Sequence, residues 1–257
     1  MIKKIAGVIF ALPSIIIATT NNQKHFDIGL SGGYYQYKEP EAMKVTGMTY
    51  ALHSGANYTF DSSVFFAIKA MVGFSPKLKY KTLPPFPPGE INNVKNHYFD
   101  VSPRIGYNFI SHSDMQLTGY LGYGYEHLKY KSDQVITILR WQEYHYAIIG
   151  AQFKKQLDNQ WLIESDIDLN WMFYGKNKTV FKSIPGSGIR DTIIKVTQKD
   201  GFGIKVDLML GQDYNYWGWR AGVYFRGWDI KQSSDDRGDV EPKNTTYDTG
   251  LKVKFTF

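Results

Sequence analysis

Beyond residue 25 the chain is a succession of segments in which apolar and polar side chains alternate, each closed by a polar break. A period of two marks a strand, whose successive side chains point to opposite faces. The final twelve residues show it plainly: Tyr247, Leu251, Val253, Phe255 and Phe257 share one parity, and Asp248, Lys252 and Lys254 share the other. Ten such segments can be marked, at about 25–37, 47–60, 63–76, 95–110, 114–131, 139–155, 160–175, 195–212, 216–231 and 244–257. No stretch after residue 25 has a helical period.

The breaks alternate in length. Asp61-Ser62, Ser111-His112-Ser113, Leu157-Asp158-Asn159 and Asp213-Tyr214-Asn215 are tight polar turns. Between them fall longer links, Glu39 to Thr46, Lys77 to Val94, Ser132 to Ile138, Lys176 to Ile194 and Gln232 to Lys243. Membrane barrels have an even strand count, short turns on one rim and longer loops on the other. The pattern therefore predicts an all-β fold: a single antiparallel up-and-down transmembrane β-barrel of ten strands. Both termini would be periplasmic and the long loops extracellular. Pro103 falls mid-strand, where it removes a ladder donor, so a bulge or local distortion is expected there. The Pro-rich stretch Leu83 to Gly89 reads as a stiff external loop, because alternation resumes after it.

Parity assigns the faces. In the seventh segment Trp161, Ile163, Ile167, Leu169, Trp171 and Phe173 oppose Glu164, Asp166, Asp168 and Asn170. The apolar face is wide and tipped with aromatic residues at both ends, as a lipid-facing girdle requires. The opposite face sends Asp27, Asp100, Glu126, Glu164, Asp166, Asp168, Asp207 and Asp248 into the lumen, with Lys69, Arg104, Lys205, Arg220, Arg226, Lys252 and Lys254. Buried charges of both signs are expected to pair across the interior. The network reads as structural, filling the barrel, and a charge-lined solute path stands as the alternative.

Composition changes the picture in three places. With 257 residues, 19 Tyr, 16 Phe and 6 Trp, the chain has room for one large aromatic-rich domain. A mean hydropathy of -0.35 excludes a helical membrane bundle but not a barrel, since half of each barrel strand is polar. The absence of cysteine removes disulfides, thiolate metal sites and cysteine nucleophiles. At the start, Met1-Ile2-Lys3-Lys4 precedes an apolar stretch from Ile5 to Ala18, shorter than the roughly 20 residues of a bilayer span. Residues 1–20 are therefore read as an export signal and 21–257 as the barrel. Removing that segment lowers the formal charge from +6 to +4, and no basic run suggests nucleic acid.

Chemical motifs are sparse. Asp166-x-Asp168 points two carboxylates one way, but near mid-strand, where salt bridging explains them better than acid-base work. His25, His53, His97, His112, His127 and His145 lack metal-ligand spacing and read as solvated or interfacial. No G-x-S-x-G occurs, and Gly122-x-Gly124 lies inside a strand, where glycine relieves packing. No catalytic, cofactor or metal residue is assigned. Lys77, Lys79, Lys81 and Lys95 form a basic, aromatic second loop whose ammonium groups could meet lipopolysaccharide phosphates.

The whole mature region resembles a bacterial outer-membrane β-barrel protein. Tyr35-Gln36-Tyr37-Lys38-Glu39-Pro40 with Met43, and Val240-Glu241-Pro242-Lys243-Asn244 running to Phe255-Thr256-Phe257, are similar to a group of small barrels without assigned activity. The architecture is also similar to omptins, ten-stranded surface proteases, although their catalytic Asp-x-His near the rim has no counterpart in this sequence. Opacity-type adhesins share the short turns and variable loops. The resemblance implies residence in the outer membrane, contact with its lipid and lipopolysaccharide, and delivery by the barrel-assembly machinery through the strand ending at Phe257. The expected function is surface interaction, with a possible extracellular ligand, or envelope integrity. A narrow porin and an omptin-type or lipid A-modifying hydrolase are the alternatives.

Overall fold

A computed structural model describes residues 23–257 apart from 61, 86, 113, 133–137, 158–159, 182–190 and 235–239. The signal assigned to residues 1–20 lies outside the described residues, as do Asp61, Ser113, Asp158 and Asn159 of the short turns. The strands are β1 (Gln23–Glu39), β2 (Met43–Thr59), β3 (Val64–Thr82), β4 (Glu90–Ser111), β5 (Met115–Lys131), β6 (Ile138–Gln156) and β7 (Trp161–Phe181). They continue with β8 (Thr192–Gln198), β9 (Gly201–Asp213), β10 (Gly218–Ile230), the short β11 (Ser233–Ser234) and β12 (Val240–Glu241), and β13 (Asn244–Thr256).

Every neighbouring pair is antiparallel, and the sheet closes where β13 meets β1 and β6 meets β7. The main sheet has eleven strands, but β8 and β9 share one position beside β7, so ten positions encircle the lumen. Closure pairs both edges of every strand that encircles the lumen, and β8, paired to β7 alone, is the exception among the described strands of the main sheet. At the seam, the Phe26 and Phe257 backbones exchange hydrogen bonds of 2.9 and 2.8 Å.

Outward side chains form an apolar belt: Leu251 is 68% exposed and Trp171 67%. Aromatic pairs border it. Tyr58–Phe60, Tyr107–Phe109, Trp161–Trp219 and Tyr214–Trp217 lie at the short-turn rim, with ring centroids 4.6, 5.4, 5.9 and 4.8 Å apart. Tyr50–Phe74, Tyr123–Phe173 and Phe225–Tyr247 border the other side at 5.7, 6.4 and 6.2 Å.

Two expectations need correction, the extent of the long links and the continuity of the eighth strand. The links Glu39 to Thr46 and Lys77 to Val94 are largely strand: β2 begins at Met43, Thr46 pairs with Lys79, and Lys81 pairs with Glu90. The apolar alternation stops at the upper aromatic ring, but the backbone ladder does not need it and continues beyond. Residues 40–42 and 83–89 are what remains as connection. Likewise Lys176 to Phe181 belongs to β7 and Thr192 to Ile194 to β8. The eighth strand is broken at Lys199-Asp200, opposite Phe173-Tyr174, where β7 bulges against β6. At Pro103 the expected disturbance is a local distortion of the ladder and not a bulge. Ser102 and Pro103 drop out of the β4–β5 ladder, and the register is the same on both sides of the gap.

Candidate functional site

The inner face of β6 carries Arg140, Gln142, Tyr144, Tyr146, Ile148, Gln152 and Lys154 by alternation. Facing them are Tyr35 and Tyr37 of β1, Tyr98 of β4, Leu128 and Tyr130 of β5 and Trp228 of β10, all buried in one cluster. Glycines on the wall let these rings lie flat. A Cβ on Gly124 would sit 2.0 Å from the Tyr146 ring, and one on Gly73 the same distance from Tyr98. The rings meet across the lumen: Trp228 lies 5.2 Å from Tyr146 and 6.4 Å from Tyr144, and the Tyr35 and Tyr130 hydroxyls are hydrogen-bonded. What remains at this waist is a cavity of about 40 Å³.

Below the waist lies a cavity of about 500 Å³ with charged walls. Arg104 reaches across from β4 to Asp168 at 2.7 Å and Asp166 at 3.5 Å, and Lys69 from β3 binds Asp166 at 2.8 Å. The Tyr120 hydroxyl lies 2.6 Å from Asp168 and 2.9 Å from Asp166. The carboxylate pair is thus engaged by two cations and a phenol, which leaves it no role as a free acid-base pair. Lys205 crosses to Asp100 at 2.8 Å, where the Tyr146 hydroxyl also donates at 2.5 Å. Glu126 stands directly opposite Asp100 in the ladder and lines the waist with Lys205 and Arg226. Arg226 pairs with Asp248, Lys252 with Asp207 at 2.6 Å, and Lys254 with Glu164. Arg220 joins Glu164 to Asp213, with contacts of 3.6 and 2.6 Å. Asp27 lines the same cavity.

Above the waist a vestibule of about 450 Å³ opens between the strand extensions. Its walls include Met43, Val45, Tyr80, Ile91, Val94 and Val240. Its floor is Arg140, bonded to Glu39 at 2.7 Å and to Glu241 of the β11–β12 hairpin, with Tyr37 donating to Glu39 at 2.6 Å. Burial pushes the Glu241 carboxyl up to about 7; Arg140 opposes that rise, and Glu39, sharing the guanidinium, adds to it.

Sequence reasoning found the inward charges of the lower half and missed Arg140, Glu39, Glu241, Lys154 and every ring of the waist. Parity contained the signal: Tyr35 and Tyr37 are in phase with Glu39, and Tyr144 and Tyr146 with Arg140. Aromatic content alone points to the outer belt, whereas both faces of the sheet carry aromatic rings. His53 is a second correction. It is neither solvated nor interfacial but inside the lower cavity, 2.8 Å from the Ser31 hydroxyl. The lumen is also not filled throughout; it is closed at the waist and open above and below. Lys77, Lys79 and Lys81 lie on the exposed outer face of the β3 extension and Lys95 on that of β4, not in a loop. Hydrogen bonding from Lys79, 2.7 Å away, holds the Glu90 carboxyl below its usual range.

No family model matches the chain, and no curated protein matches it either. Solved structures do. The outer membrane protease OmpT from Escherichia coli superposes with a TM-score of 0.68 at 11% identity, covering 95% of this chain and 99% of that one. The transport unit of the autotransporter AIDA-I from Escherichia coli gives 0.47 at 11% identity, over 98% and 97% of the two chains. The translocator domain of NalP from Neisseria meningitidis gives 0.42 at 10% identity, over 99% and 93%. At such identity the likeness is one of fold: the chain is a closed antiparallel barrel of the architecture seen in the OmpT structure.

Proposed function

We propose that this is an integral outer-membrane protein that passes no solute through its lumen and acts through its outer end, in surface interaction or envelope integrity. The observation that carries the reading is the waist. Tyr35, Tyr130, Tyr144, Tyr146 and Trp228 meet across the barrel and leave about 40 Å³, room for only a few waters. Membrane residence is supported by the outward apolar belt between two aromatic borders, the arrangement that lipid selects. The long-link rim is then the extracellular one. The vestibule there is the concavity that could take an extracellular ligand, and lipopolysaccharide would surround the lysine-bearing strand extensions. Phe257, paired into the seam strand, is where the assembly machinery would engage.

The narrow-porin alternative needs the waist to open, against buried rings and the cross-lumen ion pairs that flank them. The hydrolase alternative needs a free carboxylate or histidine at the outer end. Glu39 and Glu241 there are tied to Arg140, and Asp166 and Asp168 lie below the waist. The test is reconstitution in lipid vesicles with a solute-swelling assay. The barrel should run faster on a gel before heating than after it, and the vesicles should not swell in small sugars or amino acids. Swelling comparable to that of an open porin would overturn the reading.

A further inference from the structure

The cavity below the waist pairs nearly all of its charges, and two groups stand outside that pairing. Among the described residues, every other lysine and arginine lining it lies within ion-pair distance of a carboxylate, but Lys154 does not. Every other carboxylate lining it likewise holds a cation, but Asp27 does not. Both side chains are partly exposed to the cavity. An unpaired charge inside a protein is costly, and here one of each sign is left.

The ladder explains why neither finds a partner in the protein. Glu164 stands directly opposite Lys154, but its Oε1 already takes Lys254 and the Gln152 amide, and its Oε2 faces Arg220 at 3.6 Å. Asp27 stands directly opposite Gly55 and Thr256, neither of them charged. Gly55 also makes its seat. A Cβ there would lie 2.3 Å from Asp27 Oδ2, so the carboxylate rests against the β2 backbone. The two charges stand on opposite walls: from β1 the ring reaches β6 in five steps through β2, β3, β4 and β5, and in five through β13, β10, β9 and β7. The space between is narrow even so, since His25 of β1 lies within electrostatic reach of Lys154, Glu164 and Arg220. The cavity extends to the short turn at Tyr214 and Asn215, and its volume of about 500 Å³ falls within the roughly 300–1,000 Å³ of small-molecule sites.

We propose that this cavity binds a small zwitterion of the amino-acid or dipeptide type, its ammonium on Asp27 and its carboxylate on Lys154. One molecule then supplies both missing partners through charge-assisted hydrogen bonds, and its two charges match the two walls in sign. A neutral or singly charged solute leaves one wall unserved. The waist closes the inner end, so the ligand enters and leaves by the short-turn rim, which faces the periplasm in the orientation proposed above. The site is therefore separate from the role of the outer end.

The test is calorimetric titration of the protein, refolded in neutral micelles, with three peptides. They are dialanine, N-acetyl-dialanine, which lacks the ammonium, and dialanine amide, which lacks the carboxylate. Wild type should bind dialanine saturably, and loss of either ligand charge should weaken binding about tenfold or more. D27N should bind dialanine no better than the N-acetyl form, and K154Q should bind it no better than the amide. Each variant should keep the preference set by the other charge. A side chain that serves only the fold would lower all three affinities together. No saturable binding by wild type, equal wild-type affinity for the three peptides, or an equal loss of all three in a folded variant would each overturn the site. The wild-type series decides the matter even where a variant fails to fold. The heat-dependent gel shift is read on every sample. Its absence in wild type would contradict the membrane barrel itself, whereas its presence with any overturning result contradicts the zwitterion site alone.

Discussion

Arg104 is 4% exposed and neutralises two aspartates on the opposite wall, so its removal strands buried carboxylates. Breaking a buried pair by deleting one partner costs about 3–5 kcal/mol. Arg104→Met should fall near the lower figure, because Lys69 still holds Asp166, and denaturant unfolding from micelles would measure it. A variant as stable as wild type would show the pair to be inessential. Gly124 tests the waist by shape. The Tyr146 ring that a Cβ would strike is fully buried, so Gly124→Val should destabilise by about 1–3 kcal/mol in the same assay. Glu241 supplies the pH dependence. Its folded value of about 7 lies above the ordinary 4.5, so the folded state holds the proton more tightly than the unfolded state. Its contribution therefore favours folding below about 4.5, weakens as pH rises toward 7 and levels off above. Amide protection in β11 and β12, taken relative to the intrinsic exchange rate at each pH, should be lower at about pH 8 than at about pH 5, and Glu241→Gln should remove that difference.

Strand by strand, the alternation was legible wherever one face met apolar surroundings and failed where both were polar. β7 from Trp161 to Phe173 could be read residue by residue because grease and charge alternate there. The upper ends of β1, β2, β3 and β4 could not, because backbone hydrogen bonds hold Thr46 to Lys79 and Lys81 to Glu90 whatever the side chains. The gap at Lys199-Asp200 was invisible for another reason: it lies opposite Phe173-Tyr174, where a different strand, β7, bulges against β6. An element-scale prediction follows from the outer belt. Leu251, in mid-belt on β13, faces outward at 68% exposure, and Leu251→Arg should cost about 2–4 kcal/mol if that face meets hydrocarbon. The loss should appear in unfolding from lipid vesicles; no loss would place the belt outside the bilayer.

Taken whole, the strand number was readable from the alternation of short and long breaks, and the lumen was only half readable. Charges announce themselves, and their ion pairs now tie β3, β4 and β13 to β7 across the interior. The tyrosines and Trp228 did not, since one composition serves both the outer girdle and the inner waist. That waist decides between a sealed barrel and a pore, and planar-bilayer recording tests it most directly. The wild-type protein should give no discrete conductance steps, whereas the double variant Y146A and W228A, with the central rings removed, should give them. Stable open steps from the wild type would contradict the account.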